Sequence, residues 1–165
     1  MRLYVMRHGP AEDRASTGQD FDRQLTPPGR ELVQRVADAF QTARSLREAS
    51  APPLRILTSP RLRARETAAI VRSALVPVPR EIEIANELGG ETAIPLSLVL
   101  EATKAGVDTL LVGHQPVVED LVKQLLGSTP KRFGFSTATV VGLDWAASDG
   151  TWTLAEHLDP SRLPG

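Results

Sequence analysis

Residues 3–9 read Leu3-Tyr4-Val5-Met6-Arg7-His8-Gly9: four apolar side chains in a row, then a cation, an imidazole and a glycine. A short apolar run that stops this abruptly fits a strand buried on both faces. The same pattern recurs twice. Leu54-Arg55-Ile56-Leu57 runs into Thr58-Ser59-Pro60, with Arg61-Leu62-Arg63 behind it, and Thr109-Leu110-Leu111-Val112 runs into Gly113-His114-Gln115-Pro116. Ile82 and Ile84 mark a further short strand.

Between these strands the period changes. Thr26-Pro27-Pro28-Gly29 has the form of a helix start, with Thr26 as N-cap and proline in the first turn. Leu32, Val33, Val36, Ala37 and Phe40 then recur at helical spacing. Further helices are expected from about Pro60 to Leu75, from about Ile94 to Ala105, and from Pro116 to Leu126, with Gly127 as C-cap. Pro10 to about Leu25 reads as a polar loop. Near the C-terminus, Thr137–Leu143 and Thr151–Leu154 read as strands joined through Ser148-Asp149-Gly150, a candidate antiparallel addition at the sheet edge. Strands alternating with helices predict an α/β fold of three layers, α/β/α, around a mostly parallel central sheet. With 165 residues one domain is expected, spanning 1–158, with 159–165 as a C-terminal tail.

Composition narrows the function classes. There is no Cys, which removes disulfides, thiolate metal sites and a cysteine nucleophile. The three His, at 8, 114 and 157, are too few for a multi-histidine metal cage. Nineteen basic against twenty acidic residues give a formal net charge of -1, so no global field recruits nucleic acid or anionic lipid. Only seven residues are aromatic, too few for a base-stacking surface. No window approaches the roughly 18 apolar residues of a membrane span, and the first residues lack a signal-peptide core. A cytoplasmic protein, monomeric by default, with neither nucleic acid nor membrane as partner, is the expectation.

In an open α/β sheet, ligands bind beyond the carboxyl ends of the strands. That rim should carry Arg7-His8-Gly9, the Ser59–Arg63 turn and Gly113-His114. His8 reads either as a strand-end histidine that hydrogen-bonds a loop or as a nucleophile. Positive charge beside it disfavours the imidazolium, and a neutral imidazole is what attack requires. Which ring nitrogen is free stays open. At about 100° per residue, Arg63, Thr67, Ile70 and Ala74 share one inward face of the expected helix, and Arg61, Arg65 and Arg72 share a solvated basic one. An inward Arg63 needs an anion: an internal carboxylate or a bound phosphate. His114 reads as a cap or as a donor to a phosphoryl oxygen beside a helix N-terminus. Arg23 lies in the first long loop. His157 has no context that assigns it a role.

Arg7-His8-Gly9, then Ser59-Pro60 with Arg63 and Thr67, then Gly113-His114-Gln115-Pro116 resembles, in order and spacing, the histidine phosphatase superfamily. The small size, Leu25-Thr26 before Gly29, and the run from Ser59 to Thr67 are similar to its SixA-type phosphohistidine phosphatase branch. The resemblance covers about residues 2–145. It implies the phosphoglycerate mutase-like fold, with His8 as phosphoryl acceptor and Arg7, Arg23, Arg63 and His114 as the phosphate pocket. It also implies no metal or organic cofactor, and a site that phosphate or sulfate could occupy.

Larger members carry an acidic proton donor in a longer middle segment. Here Ala85 to Thr92 is short; Glu87 is the best positional candidate and Glu91 the second, unless both are simple loop carboxylates. An alkoxide leaving group needs a proton in the transition state, whereas an imidazole, with reference pKa near 6.5, leaves with weaker help. A protein phosphohistidine is therefore the expected substrate. A small phosphomonoester hydrolysed with Glu87 as acid is the alternative, and a phosphate-binding interaction module without turnover is the non-enzymatic one.

Overall fold

The continuous apolar runs become the interior strands of one sheet. In the computed structural model, which describes residues 1–47, 54–90, 92–94, 96–104, 106–127 and 134–163, the strands are β1 (Arg2–Arg7), β2 (Arg55–Thr58), β3 (Ile82–Ile84), β4 (Thr109–Gly113), β5 (Val140–Ala146) and β6 (Thr151–Leu158). Their order across the sheet is β3-β2-β4-β1-β5-β6. The first four are mutually parallel. The β5–β6 hairpin is antiparallel and adds β5 against β1. The mostly parallel sheet and its antiparallel addition are as expected.

Alternation along β1 separates the two cores. Tyr4 and Met6 point to one face, where they meet Val33, Val36 and Phe40 of α1 (Pro27–Arg47) and Ala64, Ala68 and Val71 of α2 (Leu62–Ala74). Leu3 and Val5 point to the other, against Val99 of α3 (Leu96–Lys104) and Val117, Val118, Leu121 and Val122 of α4 (Val117–Leu126). A one-residue slip in the β1 register would exchange these two sets, so both packed faces fix the register of the site strand.

The helix boundaries follow the expected signals with informative exceptions. Thr26 Oγ1 accepts from Gly29 N–H at 3.1 Å, the N-cap of α1. Gly127 ends α4 with φ +67°, the left-handed conformation that glycine adopts without steric cost. Ala105, the expected end of α3, lies outside the described residues. In α2 the expectation needs correction: the helix begins at Leu62, because Arg61 is still extended (φ -66°, ψ 138°). Its buried stripe is Arg63, Ala64, Thr67, Ala68 and Val71, whereas Ile70 and Ala74 are only partly covered. The two alanines let the helix lie close to its neighbours, which rotates the buried face from the one the larger side chains suggested.

β5 begins at Val140, three residues later than expected, because Ala138 adopts φ +66° and breaks the strand. The polar loop from Pro10 to Leu25 contains a 3-10 turn at Asp20–Asp22 and is closed by a bridge between Ala11 and Leu25. After β6, Asp159 accepts from Ser161 N–H at the start of a 3-10 turn, and Leu163 packs against the α1–α2 side of the core. Among the described residues no helix is long and apolar enough to cross a membrane.

Candidate active site

The carboxyl ends of β1, β4 and β2 lie side by side, and backbone hydrogen bonds continue past them. His8 N–H donates to Gly113 O at 3.0 Å and Ser59 N–H to Val112 O at 3.0 Å. On the other side of β1, Ala138 N–H reaches the carbonyls of both Arg7 and His8 at 3.1 Å. Its left-handed backbone, strained for an L side chain, is what aims that donor. Gly9 is required where it stands: a Cβ there would lie 2.3 Å from Val33 Cγ2, so only glycine lets α1 press against the loop after β1.

The His8 ring is fixed at both nitrogens. Nδ1 lies 2.7 Å from Gly9 O, and since a carbonyl only accepts, Nδ1 carries the proton. Nε2 therefore presents its lone pair, and Arg63 Nε–H points at it from 3.3 Å. The Gly9 peptide that holds Nδ1 is itself held: Gly9 N–H donates to Thr67 Oγ1 at 3.0 Å, and Thr67 Oγ1–H donates to Arg63 O at 2.7 Å. One helix turn of α2 thus positions both the imidazole and the guanidinium facing it. Burial, followed by the charges of Arg63, Arg7 and Arg23, pushes the His8 pKa down to about 4. Desolvation is the largest cause, where the sequence suggested positive charge alone.

His114 stands beside it, with ring centroids 4.9 Å apart. Its Nε2 lies 2.7 Å from Ser59 Oγ, which already accepts from Arg61 N–H at 3.2 Å. The Ser59 hydroxyl, with one proton and two lone pairs, pairs with His114 Nε2 in either tautomer and holds the ring in place. Nδ1 is buried, as is Arg7 Nε, and neither has a hydrogen-bond partner among the described residues. Burial and the neighbouring His8, Arg63 and Arg61 push the His114 pKa down to about 3, so this ring too is neutral.

These groups line a cavity of about 490 Å³ formed by Arg7, His8, Arg23, Arg61, Arg63, Gly90, His114, Gln115, Pro116 and Val117. Four guanidiniums and two neutral imidazoles converge there, and no carboxylate is among the described lining residues. The arrangement suits a phosphoryl group, whose transferring oxygens carry the charge.

The structure brings Arg7, His8, Arg23, Arg63 and His114 together. It does not bring Glu87 into the lining: that side chain is exposed on a 3-10 turn at Asn86–Leu88. Glu91 lies outside the described residues. Arg61, assigned by sequence to a solvated face, is instead in the cavity wall, its Nε donating to Gly89 O at 3.2 Å. Because α2 starts only after it, the helical projection did not apply to it. Asp20 was also missed. It binds Arg23, Arg61 and Arg63 at the edge of the site. Those arginines hold its carboxyl well below the ordinary carboxylate range.

Comparison with known proteins agrees with this geometry. The family model described as the histidine phosphatase superfamily (branch 1) matches residues 3–89. An uncharacterized protein of Picosynechococcus sp. is 34% identical over 161 residues, covering 96% of this chain and 92% of that one. The structure of the protein histidine phosphatase SixA complexed with tungstate is 28% identical, covers 98% of both chains and has a TM-score of 0.81. A structure assigned to SixA of Agrobacterium tumefaciens is 28% identical, covers 96% of this chain and 97% of that one, and has a TM-score of 0.75. Phosphoserine phosphatase of Entamoeba histolytica, 17% identical with 96% of each chain covered and a TM-score of 0.65, shares the fold.

Proposed function

The chain belongs to the histidine phosphatase superfamily, and from that premise we propose that it hydrolyses phosphohistidine on a protein through a phosphorylated His8. His8 Nε2 attacks phosphorus in line on a substrate ring protonated at its other nitrogen, so the His8 N–P bond forms as the substrate's N–P bond breaks and the substrate leaves as neutral imidazole. Water then attacks the phosphoryl group on His8, releasing inorganic phosphate and restoring the neutral ring. Gly9 O keeps the proton on Nδ1 throughout, so Nε2 is the only nucleophilic nitrogen. Arg7, Arg23, Arg61, Arg63 and His114 supply donors for the phosphoryl oxygens.

The observation that carries the substrate class is the cavity wall. Its described residues hold no carboxylate, and the acid joined to them, Asp20, is locked in its ionised form by three arginines. Described lining residues that offer no carboxylic acid favour a leaving group that departs as a weak base. Imidazole is such a group, and an alkoxide is not. The likeness to SixA over the full chain supports the same reading. A kcat/KM comparison between a phosphohistidine-bearing protein and a simple phosphomonoester tests it. Strong preference for the phosphohistidine is expected; preference for the ester would move the assignment to a small-molecule phosphatase.

A further inference from the structure

Apart from Arg7, the cavity arginines share one anion. Asp20 Oδ1 accepts from Arg23 at 2.8 Å, and Oδ2 accepts from Arg63 at 3.0 Å and from Arg61. The Asp20 carbonyl accepts from the other terminal nitrogen of Arg63 at 2.7 Å. Arg63 Nε points at His8 Nε2. Each nitrogen of the Arg63 guanidinium is thus engaged, and its whole terminal edge is given to Asp20. A phosphoryl group gripped by this planar fork uses the same kind of donor edge.

We propose that Asp20 is an internal competitor for the phosphoryl site: it holds the arginines that bind phosphate, yields them as phosphate enters, and reclaims them as product leaves. The inference rests on the phosphatase reading of the same cavity. Its placement separates Asp20 from the groups that build the frame. Ser59 and Thr67, which orient His114 and the Gly9 peptide, are fully buried. The Asp20 side chain is 49% exposed, so a carboxylate that turns away meets water rather than a desolvated pocket.

Its backbone sits on a short surface turn. Gly18 enters it at φ +76°, and Thr17 Oγ1 bonds Asp22 at 2.8 Å. Among the described residues, the Asp20 backbone bonds beyond its own turn only to Arg63. Charge points the same way. A carboxylate left among the three guanidiniums would repel an incoming phosphoryl dianion, whereas one that withdraws leaves the full positive field to the ligand. A site that cleaves phosphoramidates must also release phosphate each cycle, and a carboxylate poised at the arginines opposes product retention.

The test uses the full chain, its Asp20→Asn and Asp20→Ala variants, and inorganic phosphate as probe. Equilibrium binding is measured by calorimetry, and KM is measured on a phosphohistidine-bearing protein. Removing the competitor should tighten phosphate binding roughly three- to tenfold, the scale of a few half-exposed ion pairs. KM should fall in the same direction. A positioning clamp predicts the opposite, because the arginines would lose their orientation and both constants would rise. Thermal melting identifies which variant is folded, and either folded variant suffices. Unchanged or weaker phosphate binding in a folded variant overturns the proposal. Tighter binding of phosphate without any phosphohistidine turnover in the wild type would leave the competitor role standing and overturn the phosphatase reading instead.

Discussion

Arg63 Nε lies 3.3 Å from His8 Nε2, so the guanidinium faces the lone pair that would attack phosphorus. The same residue is 5% exposed and sits in the first turn of α2, within reach of both the nucleophile and a phosphoryl oxygen. This geometry needs a planar fork with a donor at Nε, which an ammonium does not have. Arg63→Lys should therefore behave almost as badly as Arg63→Ala, each lowering kcat/KM by about 100-fold or more. Steady-state kinetics on a phosphohistidine protein decides it. Near-complete rescue by Lys would show that charge alone is required.

Ser59 braces His114: its hydroxyl accepts from Arg61 N–H at 3.2 Å and lies 2.7 Å from His114 Nε2. We expect the hydroxyl to donate to Nε2, which leaves Nδ1–H as the ring's own donor. In Ser59→Ala that preference is lost. Nitrogen NMR should show His114 protonated at Nδ1 in the wild type and a mixture in the variant. Activity should fall roughly fivefold to tenfold, the scale of one hydrogen bond. An Nε2–H tautomer in the wild type would contradict the assignment.

Both site histidines are neutral far below the usual imidazole range. Burial comes first among the causes, and it holds His8 at about 4 and His114 at about 3. The nucleophile should therefore stay unprotonated down to about pH 5, and an NMR titration should show His8 titrating near 4 rather than near 6.5. The same depression affects stability. As pH falls from about 6.5 toward 4, the unfolded chain takes up protons that the folded site refuses, so the fold weakens. Below the folded pKa nothing further is lost from this source. His8→Asn should flatten part of that acid-side decline in a denaturation series, and an identical pH dependence in the two proteins would argue against a buried neutral ring.

Much of this was legible in the sequence because parallel strands buried on both faces appear as unbroken apolar runs. Leu3–Met6 and Thr109–Val112 located β1 and β4, and the residues after them located His8 and His114. Thr26 and Gly127 marked helix ends through their capping chemistry. The extended backbone at Arg61 was not legible: no local signal separates a helical arginine from one just before the helix, and its role depends on Asp20 and Gly89, distant in sequence. Asp20 lies in a loop with no period to read. Its only local sign was an acid three residues before Arg23. The tautomers of both rings depend on tertiary hydrogen bonds to Gly9 O and Ser59 Oγ.

Glu87 is exposed and outside the cavity wall. Glu87→Gln should change kcat/KM by less than about twofold on phosphohistidine and phosphomonoester alike, as for a surface substitution away from the chemistry. A selective loss on the ester would make Glu87 its proton donor and require the turn at Asn86–Leu88 to move inward.

The proposed chemistry turns on a covalent phosphoryl group on His8 Nε2. Rapid quenching of the protein during turnover of a labelled phosphohistidine substrate, followed by peptide mapping, tests it most directly. An acid-labile, alkali-stable label is expected on the peptide containing His8, attached at Nε2, with neither label nor turnover in His8→Ala. Turnover that survives His8→Ala, or a label on any other residue, would contradict it.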